Sequence, residues 1–302
     1  NAFSEKLPEE IIRNNNIDPL SKYNLVKDAE IIEVSNQKFA LAENLINPNV
    51  PTFDPALFGS QGKVMDSWES ARHSEEGFEY LILKLCKPAK ITHLSLCTKY
   101  HFGNQVQSVT LLGLNQNNMW DEILVKSELE GHSIKRVYLS QQSNFYKQLK
   151  VITYPDGGLT RLGIYEGLPE SEAKLFDNKS YPYNEKIPEI NKPLSMSFEN
   201  NSNLKFISAS NEHYAPAKSI LSSYSPLNMF DGFETARSRK EGNEEFVIVG
   251  FKELRTVSSI EIDFTFFVNN NPNHMKFLGL KDGEWIPLTG MEFVKPFAGN
   301  KK

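Results

Sequence analysis

One eight-residue stretch occurs twice in this chain, and that repetition restricts the fold more than any other feature. Met65-Asp66-Ser67-Trp68-Glu69-Ser70-Ala71-Arg72 returns as Phe230-Asp231-Gly232-Phe233-Glu234-Thr235-Ala236-Arg237. An acid, an aromatic, a second acid and an arginine keep their spacing, with Asp66 and Asp231 standing 165 positions apart. Solenoid units recur every roughly 20–50 residues, so a period this long marks a duplicated domain. Upstream, Phe39-Ala40-Leu41-Ala42 matches Tyr214-Ala215-Pro216-Ala217 at an offset of 175. The first copy therefore carries extra residues in NPNVPTFDPALFGSQGK, whose Pro and Gly read as a surface loop. Downstream, Gly77 matches Gly242, Leu112-Gly113-Leu114 matches Leu278-Gly279-Leu280, and Trp120 matches Trp285. Gly167 shifted by 165 falls at 332, past Lys302, so the second copy is expected to be incomplete at its C-terminus. The copies are expected to superpose, Trp68 over Phe233 and Trp120 over Trp285.

Short strands follow the first copy of the stretch. EIIEVS at 30–35, YLILKL at 80–85, ITHLSLC at 91–97, QSVTLLGL at 107–114 and IKRVYL at 134–139 each read as one, and FALAENLI at 39–46 as a helical turn. KQLKVITY and LTRLGIYEG flank Pro155-Asp156-Gly157-Gly158, which predicts a β-hairpin. The second copy offers LKFISAS, FVIVGF at 246–251, SSIEIDFTFFV at 258–268 and HMKFLGL at 274–280. Strands at this spacing, with no long amphipathic helix, predict an all-β sandwich. Residues 1–25 are a polar lead-in with one helical prospect at Pro8–Arg13. Residues 168–203, with Pro169, Pro182, Pro188 and Pro193, read as a linker lying over the surface. The expected organisation is 1–167 for the first repeat, 168–203 for the linker and 204–302 for the second repeat. Without a counterpart of the 155–158 turn, the second repeat is expected to expose strand edges, which invite an oligomer or a cover from the linker.

A net charge of −5 argues against a general nucleic-acid binder. The lack of an apolar run of 18 residues argues against a membrane span, and NAFSEKLPEEII shows no secretory leader, so a cytoplasmic protein is expected. Cys86 and Cys97 form neither a disulfide framework nor a zinc site, and Cys97 reads as a buried structural thiol. The six histidines show no HxH or HxxxH spacing. A divalent metal held by carboxylates and distant histidines stays open, with no ligand set defined.

Chemistry has a few candidates. Glu69/Arg72 and Glu234/Arg237 are three apart, and on a helical turn such pairs share a face. A glutamate moves protons and an arginine grips a carboxylate with two parallel hydrogen bonds, although a scaffold ion pair explains the spacing equally well. In Tyr100-His101-Phe102-Gly103-Asn104-Gln105, His101 is a candidate acid or base and Asn104 an amide binder, set against a merely packed histidine. Asp156 and Arg161 flank a turn whose Pro, Asp and glycines turn chemistry alone would explain; Arg161 is harder to explain that way.

Taken together, these segments resemble the allantoicase family over nearly the whole chain. MDSWESAR and DGFETAR are similar to its DGWETRR motif, YHFGNQ to its HFxGN segment, and TYPDGGLTRLGIYEG to its PDGGxxRLRVYG run. FALAENLINPNVPTFDPALFG and NEHYAPAKSIL look like the lead-ins to its two repeats. Gly77-Phe78-Glu79-Tyr80 and Gly242-Asn243 stand where the family has Gly-His-Asp-Trp, FFVNNN replaces the second HFxGN, and Asn36 and Asn211 occupy a usually acidic position. The resemblance implies two tandem jelly-roll sandwiches of the galactose-binding-like type, a homo-oligomer, and hydrolysis of the small molecule allantoate to ureidoglycolate and urea.

That substrate carries a carboxylate and two ureido groups on one carbon. Its hydrolysis needs a cationic clamp, polar partners for the ureido groups, a base for water and an acid for departing urea. On this reading Glu69 and His101 are the catalytic candidates, and Arg72, Asn104, Asp156 and Arg161 the substrate-binding ones. Asp231, Glu234, Arg237 and Asp263 are the second-repeat counterparts. The alternatives are a relative that keeps the fold and binds without turnover, and a carbohydrate-binding jelly roll by fold analogy alone.

Overall fold

The structure is a computed structural model that describes residues 17–55, 57–59, 62–140, 144–185, 204–222, 226, 229–267 and 270–293. The helical prospect at Pro8–Arg13 lies outside them. The chain forms two compact units, residues 1–190 with 237–241, and residues 191–236 with 242–302. The short segment Arg237–Glu241 thus belongs to the first unit.

The first unit is an antiparallel jelly-roll sandwich. Its strands are β1 (Glu30–Val34), β2 (Phe58–Gly59), β3 (Gly62–Lys63), β4 (Trp68–Glu69), β5 (Glu79–Ala89), β6 (His93–Cys97), β7 (Ser108–Leu114), β8 (Trp120–Glu128), β9 (Ser133–Tyr138), β10 (Tyr146–Tyr154), β11 (Gly158–Leu159), β12 (Arg161–Tyr165) and β13 (Ser180–Pro182). One sheet runs β1-β5-β10-β7-β8 and the other β12-β6-β9-β13. Alternation makes the core. Leu81, Leu83 and Leu85 of β5 and Leu149 and Val151 of β10 point inward, against Leu94 and Leu96 of β6 and Leu162 and Ile164 of β12. All five residues of β6 are buried. Its outer face is covered too: Tyr165 and Phe176 pack together, the Tyr183 hydroxyl lies 3.6 Å from Cys97 Sγ, and Phe176 stands edge-on to His93. Burial pushes the Cys97 thiol pKa up, as suits a structural thiol.

The Pro155–Gly158 turn does not make a hairpin. β10 pairs with β5 and β7, whereas β12 pairs with β6 in the opposite sheet. The turn is a corner that carries the chain across the sandwich, with a cis Tyr154–Pro155 bond and Gly157 at φ +143°. Between the two sheets, β11 pairs with β4, setting Gly158 opposite Glu69 and Leu159 opposite Trp68.

In the second unit, β14 (Leu204–Ala209) pairs with β15 (Val247–Phe251), β16 (His274–Met275) with β19 (Glu292–Phe293), and β17 (Leu278–Lys281) with β18 (Glu284–Pro287). Residues 258–267 form no named strand, against the expectation from SSIEIDFTFFV. In the first unit the equivalent β6 is laddered between β12 and β9; the positions matching those partners fall past residue 293, outside the described residues. Ile262, Phe264, Phe267 and Met275 instead gather into a small apolar cluster.

Local devices nevertheless recur in both copies. Ala71 N–H donates to Asn36 Oδ1 and Ala236 N–H to Asn211 Oδ1. Ala42 N–H donates to Gln37 and Ala217 N–H to Glu212. Ala40 bridges Glu69 as Ala215 bridges Glu234. Leu114 faces Trp120 across one hairpin as Leu280 faces Trp285 across the other. The two asparagines at the usually acidic position thus pin the loop before each Arg72-type arginine.

Candidate functional site

The chain around Glu69 is extended, not helical, and its backbone is gripped on both edges. Glu69 N–H donates to Ala40 O and its carbonyl accepts from Phe39 and Ala40, while β11 lies along the other side. This fixes a carboxylate that is 5% exposed. Its Oε1 accepts from Arg237 Nη2 at 2.8 Å and from Asn104 Nδ2 at 3.1 Å. Asp156, 4% exposed, comes from the corner turn. Its Oδ1 accepts from Arg237 Nη1 at 3.0 Å and Arg239 Nη1 at 3.1 Å, and its Oδ2 accepts from Ser74 N–H at 3.2 Å. Arg239 Nη2 also donates to Gln105 O at 2.6 Å. Two carboxylates and two guanidiniums therefore balance in a nearly dry cluster, the arrangement that buried charge requires. The Arg237 guanidinium also lies 5.8 Å from the Phe39 ring centroid.

His101 sits beside this cluster with no solvent exposure. Its ring packs on the Cα of Gly158, where any Cβ would collide with it. Among the described residues neither ring nitrogen makes a well-formed hydrogen bond, although the Asn104 side chain lies against the ring. Burial pushes its pKa below the ordinary histidine value; the Glu69 carboxylate and a hydrogen bond with the Asn104 side chain pull it back up, and Arg237 and Arg239 add to the lowering. The result is a neutral imidazole inside a ring of fixed charge. Gly157 serves the same packing, since a Cβ there would meet Asn104 O at 2.7 Å. Turn chemistry is thus not the reason for Asp156 or for Gly158: one anchors two arginines and the other makes room for His101.

The structure brings Glu69, His101, Asn104, Asp156 and Arg237 together. It places Arg161 elsewhere: Arg161 forms an ion pair with Asp66 at 2.7 Å and donates to the carbonyls of Asn44, Asn49, Asp66 and Thr160. These bonds tie the loop before β4 to β12, and they use the donors a substrate clamp would need. Arg72 is half-buried in the loop after β4. The carboxylates on Arg237 are Glu69 and Asp156 and not Glu234, three residues before it, so the expected short-range pair is absent. Glu234 instead accepts from Asn270 Nδ2 at 2.9 Å, as Glu69 does from Asn104. FFVNNN therefore keeps the amide of the segment it replaces. Asp231 ends a short helical turn at Met229–Asp231, and Asp263 is exposed and accepts from Thr265 N–H.

Arg239 escaped the sequence reading because its first-copy counterpart is Ser74; an arginine two residues past the motif in only one copy was the available signal. Among the described residues no three His, Cys, Asp or Glu side chains gather as a metal site. A separate cavity of about 290 Å³ in the second unit, lined by Ile260, Ile262, Phe264 and Leu288 among others, is mostly apolar.

The allantoicase repeat matches residues 23–168 and again 197–287. The chain belongs to the allantoicase family. Among its relatives, a probable allantoicase of Burkholderia mallei is 30% identical over 258 residues, covering 81% of this chain and 70% of the relative. One of Pseudomonas fluorescens is 30% identical over 272 residues, covering 86% and 77% respectively. The crystal structure of the allantoicase from Saccharomyces cerevisiae is similar at 22% identity, covering 98% of this chain and 87% of that one, with a TM-score of 0.41. No helix among the described residues of this family member is long and apolar enough to cross a membrane.

Proposed function

We propose that this chain hydrolyses allantoate to ureidoglycolate and urea, with the working site at Glu69, His101, Asn104, Asp156, Arg237 and Arg239. The observation that carries this reading is the fully buried, neutral imidazole of His101 beside the Glu69 carboxylate, the Asn104 amide and two arginines. Arg239, whose side chain is 17% exposed against 2% for Arg237, is the outermost cation; its Nη1 and Nη2 already serve Asp156 and Gln105 O, so it draws the substrate carboxylate by its charge and not as a free fork. Asp156 holds both guanidiniums in place, and Asn104 orients a ureido group. His101 accepts a proton from water as its oxygen bonds to the central carbon, and the Glu69 carboxylate favours the imidazolium that forms. The proton then passes to the nitrogen of the departing ureido group as its bond to that carbon breaks, giving urea.

A second reading, a binding protein without turnover, draws on the same charge balance: each arginine already holds a carboxylate, and binding a third does not require chemistry. Measuring urea release from allantoate, with and without added divalent metal, separates the two. Sustained release supports hydrolysis, and saturable binding without release supports the alternative. We further propose a homo-oligomer working in the cytoplasm. The exposed Leu278, Leu280, Trp285 and Ile286 of the β17–β18 ladder support association. The two free cysteines, Cys86 and Cys97, fit a reducing compartment.

A further inference from the structure

His132 lies in the turn before β9, 6% exposed, and was not singled out by any sequence pattern. Its four hydrogen-bonding groups are all used, the backbone carbonyl accepting from Tyr183 N–H at 2.9 Å. The backbone N–H donates to His101 O at 2.8 Å. Nδ1 lies 3.0 Å from Tyr100 N, and Nε2 lies 3.0 Å from Glu185 O. A main-chain N–H can only donate and a carbonyl can only accept, so the proton must sit on Nε2 and Nδ1 must be bare. An imidazolium would set two N–H groups against each other. The ring also stacks on Phe102 with centroids 4.3 Å apart and planes 23° from parallel. His132 therefore holds the residue before His101, the carbonyl of His101 and the residue after it. The hold matters because Tyr100 is at φ +68°, a left-handed conformation that a bulky side chain keeps only when its surroundings impose it.

We propose that His132 is a positioning residue for the reaction at His101: as the neutral Nε2–H tautomer it clamps the 100–102 turn, and protonation of Nδ1 releases it. This rests on the reading of His101 as the proton-transfer group. The charged and titratable groups around the ring are Lys99, Glu185, Tyr100 and Tyr183. Lys99 is bonded to Glu185 at 2.7 Å and lies over the Tyr100 and Tyr183 rings, and Tyr183 tilts against the imidazole. Burial, reinforced by Lys99, lowers the His132 pKa, whereas the bond to Glu185 O and the Glu185 carboxylate oppose the lowering. The neutral clamp is thus the state at neutral pH.

The test uses the full chain labelled with ¹⁵N in the histidine rings. Two-bond proton–nitrogen spectra between pH 5 and 8 read each tautomer without turnover. The expected result is a neutral Nε2–H tautomer for His132 at pH 7. In His132→Ala, the His101 ring signals move and kcat for urea release falls at least tenfold, with KM changed less than threefold. In His132→Asn, whose Oδ1 can replace Nδ1 as the acceptor, most of kcat returns and the acid limb of the pH profile shifts. A Nδ1–H tautomer or an imidazolium at pH 7 overturns the proposal. So do unchanged His101 signals in a folded His132→Ala. If His132→Ala does not fold, the wild-type tautomer and His132→Asn still decide. If the wild type releases no urea, the spectra judge the clamp separately from the reaction.

Discussion

Replacing Asp156 by Asn keeps the size of the side chain and removes the charge that two arginines share. Arg237 and Arg239 both bond Asp156 Oδ1, at 3.0 and 3.1 Å, and the carboxylate is almost wholly out of water. Taking one member from a buried ion pair costs on the order of 3–5 kcal/mol, because the partner charge stays buried without compensation. Here Arg237 retains Glu69 and Arg239 retains two main-chain carbonyls, so the expected loss is about 3–5 kcal/mol in total and not twice that. Glu69→Gln should cost less, about 1.5–3 kcal/mol, the worth of a charged hydrogen bond, since Arg237 then keeps Asp156. The assay is urea-induced unfolding at pH 7.5, following the transition reported by the buried Trp68 of the first unit. A domain has only about 5–15 kcal/mol to lose, so both changes fall well within reach of the measurement. A loss below about 1 kcal/mol for Asp156→Asn, or a larger loss for Glu69→Gln, would refute Asp156 as the hub of the cluster.

Gly158→Ala drives a methyl group into the His101 ring; it should cost about 1–3 kcal/mol and displace the imidazole, seen as lost stability together with a shifted His101 ring signal. Arg161→Gln should lower the melting temperature and leave KM for allantoate within twofold, because the Arg161 fork holds Asp66 and loop carbonyls; a large rise in KM at unchanged stability would return Arg161 to the site. His93, His101 and His132 all have pKa values lowered by burial. The unfolded chain therefore binds more protons once pH drops below the ordinary histidine value. Their stabilisation is complete above about pH 6.5 and is lost below it at up to ~1.4 kcal/mol per pH unit each. Unfolding midpoints should thus fall steeply between pH 6.5 and 5.5, and a flat profile there would mean that the folded chain takes up protons at these histidines as readily as the unfolded one.

The duplication and the strand-rich first copy were legible because motif spacing and period-two alternation are local signals, whereas Glu69, His101, Asn104 and Asp156 were grouped only by the resemblance to the family. The Pro155–Gly158 corner was misread because two alternating runs around a glycine turn look the same whether the strands pair or part; the choice depends on β6, some 60 residues away in sequence. β6 carries polar residues on one side and is still buried on both, since Phe176 and Tyr183 from the proline-rich stretch cover it. Residues 258–267 have strand alternation, but alternation alone does not build a ladder, and among the described residues they form no named strand. The partners of Arg237 could not be inferred from Glu-x-x-Arg spacing, because Glu69 lies 168 positions away in sequence. Asn270 has a signal in the sequence: it sits one position off the repeat offset from Asn104, in a segment that lacks the histidine and glycine but keeps an amide.

Urea release from allantoate by the wild type, Glu69→Gln and Glu234→Gln, each with its unfolding curve, tests the central claim most directly. Proton transfer by a positioned group contributes roughly 100-fold or more, and His101 loses that contribution when the Glu69 carboxylate no longer favours its imidazolium. The account predicts that the wild type turns over, that folded Glu69→Gln loses at least that factor, and that Glu234→Gln stays within a few-fold. A silent wild type, or equal losses in the two well-folded variants, would contradict a hydrolytic site built on Glu69, His101, Asp156, Arg237 and Arg239.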